Sequence, residues 1–151
     1  MFGISPGQCS NGYEEQLTDL DSGQSRFVVP PDLSRPTEVE VGGAELLYWP
    51  ENCNRTADYH LRAMPKATVG ILRKGSPQSF ASCQAAANTG LGPLRLGRKE
   101  DRESRGFVSG AAICSVTDRG AIAMAVIEHI SGREYDDPTV TGTLYVWSKS
   151  P

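Results

Sequence analysis

Two carboxylates stand at i and i+2 ahead of a glycine in Asp19-Leu20-Asp21-Ser22-Gly23. Oxygen ligands at that spacing make half of a calcium loop. A complete loop needs further oxygens and a closing glutamate, and neither Gln24 nor residues 26–31 supply them. The stretch therefore reads as a turn, and no metal ligand is assigned from it. The same two aspartates would act as a general acid and base only inside a cleft.

The two histidines, His60 and His129, are the other candidates for proton chemistry. His129 follows Glu128, but adjacent residues of a strand point to opposite faces, so Glu128 is not expected to orient the imidazole. Asp58 and His60 share a face if their segment is extended, and serines are plentiful. No serine sits in a G-x-S-x-G elbow, so no nucleophile is singled out. No catalytic residue is assigned.

Recognition chemistry is better represented. Tyr48, Trp49 and Tyr59 flank one polar stretch that also carries Arg55, His60 and Arg62. Flat apolar rings interleaved with hydrogen-bonding groups are how carbohydrate and peptide ligands are held. Trp49, Tyr59, His60 and Arg62 are the candidate ligand-binding residues, against the plainer role of covering a sheet edge. Asn54-Arg55-Thr56 fits the N-x-T pattern of a surface loop.

The elements that would position these residues are mostly strands. With 16 glycines and 10 prolines in 151 residues, turns are frequent, as in an all-β domain. Residues 110–149 hold the clearest signal. Ala111–Thr117 and Ala121–Ile130 are apolar runs joined by Asp118-Arg119-Gly120, a three-residue hairpin connection ending in glycine. In the second run Ile122, Met124 and Val126 share one face, and Ala121, Ala123, Ala125 and Ile127 the other, so the strand is expected to be central. Val140–Trp147 alternates too, placing Tyr145 and Trp147 on one side as a lid over the sheet's second face or as a ledge. Earlier, Arg26–Val29, Thr37–Val41, Ala44–Trp49 and Ala67–Arg73 read as strands, with Gly42-Gly43 as a second hairpin turn. Residues 50–65 read as irregular. One helix is expected near residues 77–88, capped by Ser76 with Pro77 at its first position. Phe80, Cys83 and Ala87 would share a face, pointing Cys83 at the sheet within reach of Cys114. Residues 93–106 are charge-dense with nearly cancelling signs, as in a solvated loop or polar helical turn.

The net charge of −3, with both signs interspersed, argues against a nucleic-acid partner. No apolar run is long enough for a membrane helix, so no membrane contact by the chain itself is expected. No basic and then apolar leader opens the chain, which places any export signal or anchor outside it. The four cysteines, Cys9, Cys53, Cys83 and Cys114, are widely spaced and form no C-x-x-C pair. An even count of this kind fits two disulfides, with three possible connectivities, and an oxidising compartment; four reduced buried thiols are the alternative.

Four segments together resemble a known pattern. Thr18-Asp19-Leu20-Asp21-Ser22-Gly23 is similar to an "LDLDTG" opening, and Phe80-Ala81-Ser82-Cys83 to a short helix with one cysteine. Ile113-Cys114-Ser115-Val116-Thr117-Asp118-Arg119-Gly120 is similar to "ICVRTxxGR", and Tyr145-Val146-Trp147 to a closing "VxVW". The chain thus resembles the disulfide-bearing extracellular C-terminal β domain of actinobacterial surface proteins, lipoproteins and kinase-linked membrane proteins. The resemblance implies a Cys83–Cys114 disulfide. It departs where Ala121 replaces the arginine after Gly120, so no role of that arginine carries over. The additional Cys9 and Cys53 suggest a second bridge. The resemblance brings no catalytic residue.

The reading is of a flexible arm over residues 1–12 and a single β-rich domain over 13–151. The fold expected is a compact antiparallel sandwich or partly open barrel of about seven to nine strands. The function expected is a non-enzymatic extracytoplasmic binding or sensor module for a cell-envelope ligand or protein, without cofactor. A small secreted hydrolase using His60 and Asp58, or a purely structural surface domain, are the alternatives.

Overall fold

The computed structural model describes residues 1–7, 14–29, 43–50, 59–64, 67–132 and 138–148. Ten strands among them form two antiparallel sheets of five, and the barrel is not closed. The first sheet holds β1 (Phe2–Ile4), β10 (Thr139–Trp147), β9 (Ile122–Ser131), β8 (Ala112–Val116) and β6 (Thr68–Leu72), in that spatial order. The second holds β3 (Ser25–Val28), β2 (Glu15–Thr18), β4 (Leu46–Pro50), β5 (Tyr59–Ala63) and β7 (Leu94–Arg95). The described residues also form two helices, α1 (Phe80–Ala87) and α2 (Lys99–Ser104). The β-rich expectation holds, and the sandwich is the form it takes.

The period-two pattern of β9 explains its central place. Ala123, Ala125 and Ile127 pack between the sheets, against Tyr48, Tyr59 and Leu61 of the second sheet. Ile122 and Met124 pack on the opposite face, under α1. Each fully buried side chain of the Leu, Ile or Phe type contributes about 1.5–3 kcal/mol before chain entropy is set against it. The β8–β9 hairpin closes as its sequence requires. Gly120 takes φ 77°, and the Thr117 N–H donates to the Ala121 carbonyl at 2.9 Å.

The helix lies directly on the first sheet because β6 offers no side chain at Gly70. A Cβ there would come within 1.9 Å of the Ala86 carbonyl oxygen. Cys83 and Cys114, both fully buried, form a disulfide with Cα atoms 5.3 Å apart, the pairing that the resemblance implied. Phe80 meets Trp147 edge-on at 6.1 Å, so Trp147 belongs to the apolar cover of this face, while Tyr145 beside it is exposed.

Several expectations are corrected. The start of the chain is not all flexible arm: Phe2 and Ile4 are buried, and β1 pairs with β10. A three-residue strand carries too little alternation to be seen in a Gly-rich context. Residues 59–63, read as irregular, form β5, with Tyr59 and Leu61 inward and His60 and Arg62 outward. Helix α1 starts at Phe80 and not at Pro77; its cap is Ser79, whose Oγ accepts from the Ser82 N–H at 3.2 Å. A second helix, α2, and the two-residue β7 lie in the charge-dense segment. Thr37–Gly42, Asn54-Arg55-Thr56, Asp58, Cys9 and Cys53 lie outside the described residues.

Candidate functional site

One end of the sandwich gathers four carboxylates from three separate pieces of chain. The β2–β3 turn supplies Asp19 and Asp21. Within it the Gly23 N–H donates to the Asp19 carbonyl at 2.7 Å, with Gly23 at φ 79°, and the Asp21 N–H donates to Asp19 Oδ1 at 2.8 Å. Glu45 enters just before β4. Its N–H donates to the Thr18 carbonyl at 3.0 Å, and its carbonyl accepts from the Met64 N–H at 2.8 Å. Asp118 comes from the β8–β9 turn of the other sheet. One carboxylate oxygen from each of the four lies within 4.8 Å of the others. Gly43, at φ 75°, lets the chain pass close beside: a Cβ there would stand 2.7 Å from Asp118 Oδ2.

The burial of these groups is uneven. Glu45 is 1% exposed, Asp19 and Asp21 are half-buried, and Asp118 is exposed. Glu45 Oε1 accepts from the Leu20 N–H at 2.7 Å, whereas Oε2 is buried without a hydrogen-bond partner. Asp21 Oδ2 is likewise buried without one. Burial pushes the Glu45 carboxyl up to about 8, and the charges of Asp19, Asp21 and Asp118 add to the rise against the pull of the Leu20 N–H. Burial raises Asp21 as well, with Asp19 and Asp118 adding to it and a hydrogen bond to Thr117 opposing it. None of the four forms an ion pair with a lysine or arginine among the described residues. A carboxyl raised by burial among other carboxylates is an arrangement also met at catalytic acids. Glu45 lies beneath the surface, however, and a substrate has no access to it.

The sequence-predicted ligand residues divide between two faces of the second sheet. Trp49 and His60 are cross-strand partners with ring centroids 5.0 Å apart, and the Arg62 guanidinium carbon lies 5.3 Å from the centre of the Trp49 ring. Arg95 of β7 stands opposite His60 and so extends the same outer face. Trp49 packs at its base against the small apolar group of Leu17, Ala44, Leu47 and Met64. Tyr59, by contrast, is 1% exposed in the core, where it meets Tyr48 at 4.9 Å and donates from its hydroxyl to the Gly7 carbonyl at 3.0 Å. It is a core residue, as the parity of β5 dictates, and stands apart from the ledge of Trp49, His60 and Arg62.

His129 and Glu128 also differ from the sequence expectation. The β9–β10 register steps from Thr141↔His129 to Gly142↔Ile127, which leaves Glu128 as an extra bulged residue. The bulge resets the alternation. Ile127 and Ile130 both pack toward the core, while Glu128 and His129 both line a shallow surface groove of about 340 Å³. Glu128 Oε1 accepts from the Thr143 hydroxyl at 3.2 Å, and the Glu128 and His129 side chains are both exposed.

Sequence reasoning missed Glu45 and Asp118 as members of a site. The available signal was a lone carboxylate in the otherwise apolar run Ala44-Glu45-Leu46-Leu47. Comparison with protein families, with curated proteins and with solved structures finds no match.

Proposed function

We propose that the protein is a non-enzymatic extracytoplasmic binding module, related to the extracellular C-terminal β domains that its sequence resembles. The Cys83–Cys114 disulfide supports this reading, being compatible with an oxidising compartment. Among the described residues no helix is long and apolar enough to cross a membrane.

The observation that carries the reading is the ledge of Trp49, His60 and Arg62 on the outer face of the second sheet. The Arg62 guanidinium lies over the Trp49 ring at cation–π distance, 5.3 Å from its centre. His60 and Arg95 stand beside it, so the ledge combines aromatic surface with two arginines. That chemistry suits an envelope polymer bearing carboxylate or phosphate groups. The test is co-sedimentation of the purified protein with an insoluble cell-wall preparation that retains its anionic polymers. Binding is expected, with a loss of at least about tenfold in Trp49→Ala and in Arg62→Ala. Binding that is undiminished in both variants, or absent from the parent protein, would sink the reading. No specific observation favours a hydrolase: His60 meets Trp49 with ring planes tilted at 45°, and its proposed partner Asp58 lies outside the described residues.

A further inference from the structure

We propose that Asp19, Asp21, Glu45 and Asp118 bind a calcium ion at the end of the sandwich where the β2–β3 turn, the start of β4 and the β8–β9 hairpin meet. This site is separate from the aromatic ledge and does not depend on it.

Three features argue for it. First, every donor in the cluster is a carboxylate oxygen. A set with no imidazole or thiolate selects a hard cation over zinc or copper. Second, the size fits. Oxygens on opposite sides of a calcium ion lie about 4.6–5.2 Å apart, and about 4.0–4.2 Å across magnesium. One carboxylate oxygen from each of the four already lies within 4.8 Å of the others, a spread that a calcium ion can bridge. Third, Glu45, the innermost member of the cluster at 1% exposure, has its Oε2 buried without a hydrogen-bond partner. A buried carboxylate oxygen in that state requires either a proton or a cation.

The remaining geometry is consistent with a built site. Glu45 is fixed from behind by the Leu20 N–H at 2.7 Å, which aims its carboxylate and ties the β2–β3 turn to β4. The Asp19 carboxylate is oriented by the Asp21 N–H at 2.8 Å. Asp118 is exposed and gives an ion a route from solvent, with water completing the six to eight oxygens that calcium takes. Binding would clamp the two sheets together at this end, since Asp118 belongs to one and Asp19, Asp21 and Glu45 to the other.

The test is thermal unfolding of the purified chain in chelator-treated buffer, followed by titration with CaCl₂ and isothermal calorimetry. At about 10 mM calcium, above the weak end of extracellular calcium modules, the midpoint is expected to rise by about 3–6 °C. The exposed-site variant Asp118→Asn should fold normally and lose most of that shift. Glu45→Gln should lose it entirely. Amide signals of Gly23, Gly43 and Gly120 should move on titration while those of the ledge strands stay still. A midpoint indifferent to calcium would overturn the proposal. So would an equal rise from MgCl₂ or from NaCl at matched ionic strength, or a full response retained by Asp118→Asn and Glu45→Gln. The cell-wall sedimentation result is read separately, in the presence and absence of chelator, so failure of either idea leaves the other standing.

Discussion

The β8–β9 hairpin carries two junctions that work by opposite means. At mid-strand, Cys114 joins α1 through the disulfide to Cys83 inside an apolar layer of Leu72, Ala86, Ala87, Ile122 and Met124. At its turn, Asp118 meets Asp19, Asp21 and Glu45 across the end of the sandwich. The first junction is covalent and fully buried. The second brings like charges together, and burial together with those charges raises the carboxyls of Glu45 and Asp21. A fold tolerates such a cluster at a loop end more easily than in its core, because water and ions reach Asp118.

The contrast breaks most sharply at the helix side. Replacing both cysteines by alanine should cost about 3–4 kcal/mol from loop entropy alone, and more once the cavity is counted, read as a lowered denaturant midpoint. Gly70→Ala should cost a comparable amount with the disulfide still present, since a Cβ 1.9 Å from the Ala86 carbonyl must lift α1 from the sheet. If that variant keeps parental stability, the close helix–sheet contact is wrong.

The carboxylate end predicts an effect of opposite sign. The folded-state pKa of Glu45 is raised above its unfolded value, so its contribution to stability is greatest below about 4.5. That contribution falls as pH climbs through about 8, and levels off beyond. Glu45→Gln should therefore stabilise the metal-free protein at pH 8, by on the order of 1–3 kcal/mol, and change little near pH 4. Urea titrations at the two pH values check it; destabilisation at pH 8 would show that the charge is compensated. Trp49→Ala, on the outer face of the second sheet, should cost about 1–2 kcal/mol in stability, less than the helix-side changes, because Trp49 is only half-buried. The smallest effect belongs to Lys99→Ala. Its pair with Glu103 spans 3.8 Å between side chains that are both more than half exposed, so the change should stay within about 0.5 kcal/mol.

Legibility followed the range of the interactions. The β8–β9 hairpin could be read because its period-two faces and its Asp118-Arg119-Gly120 connection are local. Helix α1 could be read from alanine content, though its cap moved to Ser79 because Ser76 and Ser79 are equally good caps on paper. Strand β5 was hidden because its outward residues, His60 and Arg62, sit in a polar context. The parity of Glu128 and His129 was misjudged because one bulged residue resets an alternation that the sequence does not mark.

The sequence by itself determined that the chain is β-rich, which faces of its central strand are apolar, where its sharpest hairpin turns, and that Cys83 points toward the sheet. These follow from side-chain period and turn chemistry over a few residues. Only the tertiary structure decided that Tyr59 is core while Trp49, His60 and Arg62 share an outer face. It alone brought Glu45 and Asp118 to the Asp19–Asp21 turn. Those outcomes depend on how two sheets pair and stack, which sets residues distant in sequence a few ångströms apart through contacts that no local pattern encodes.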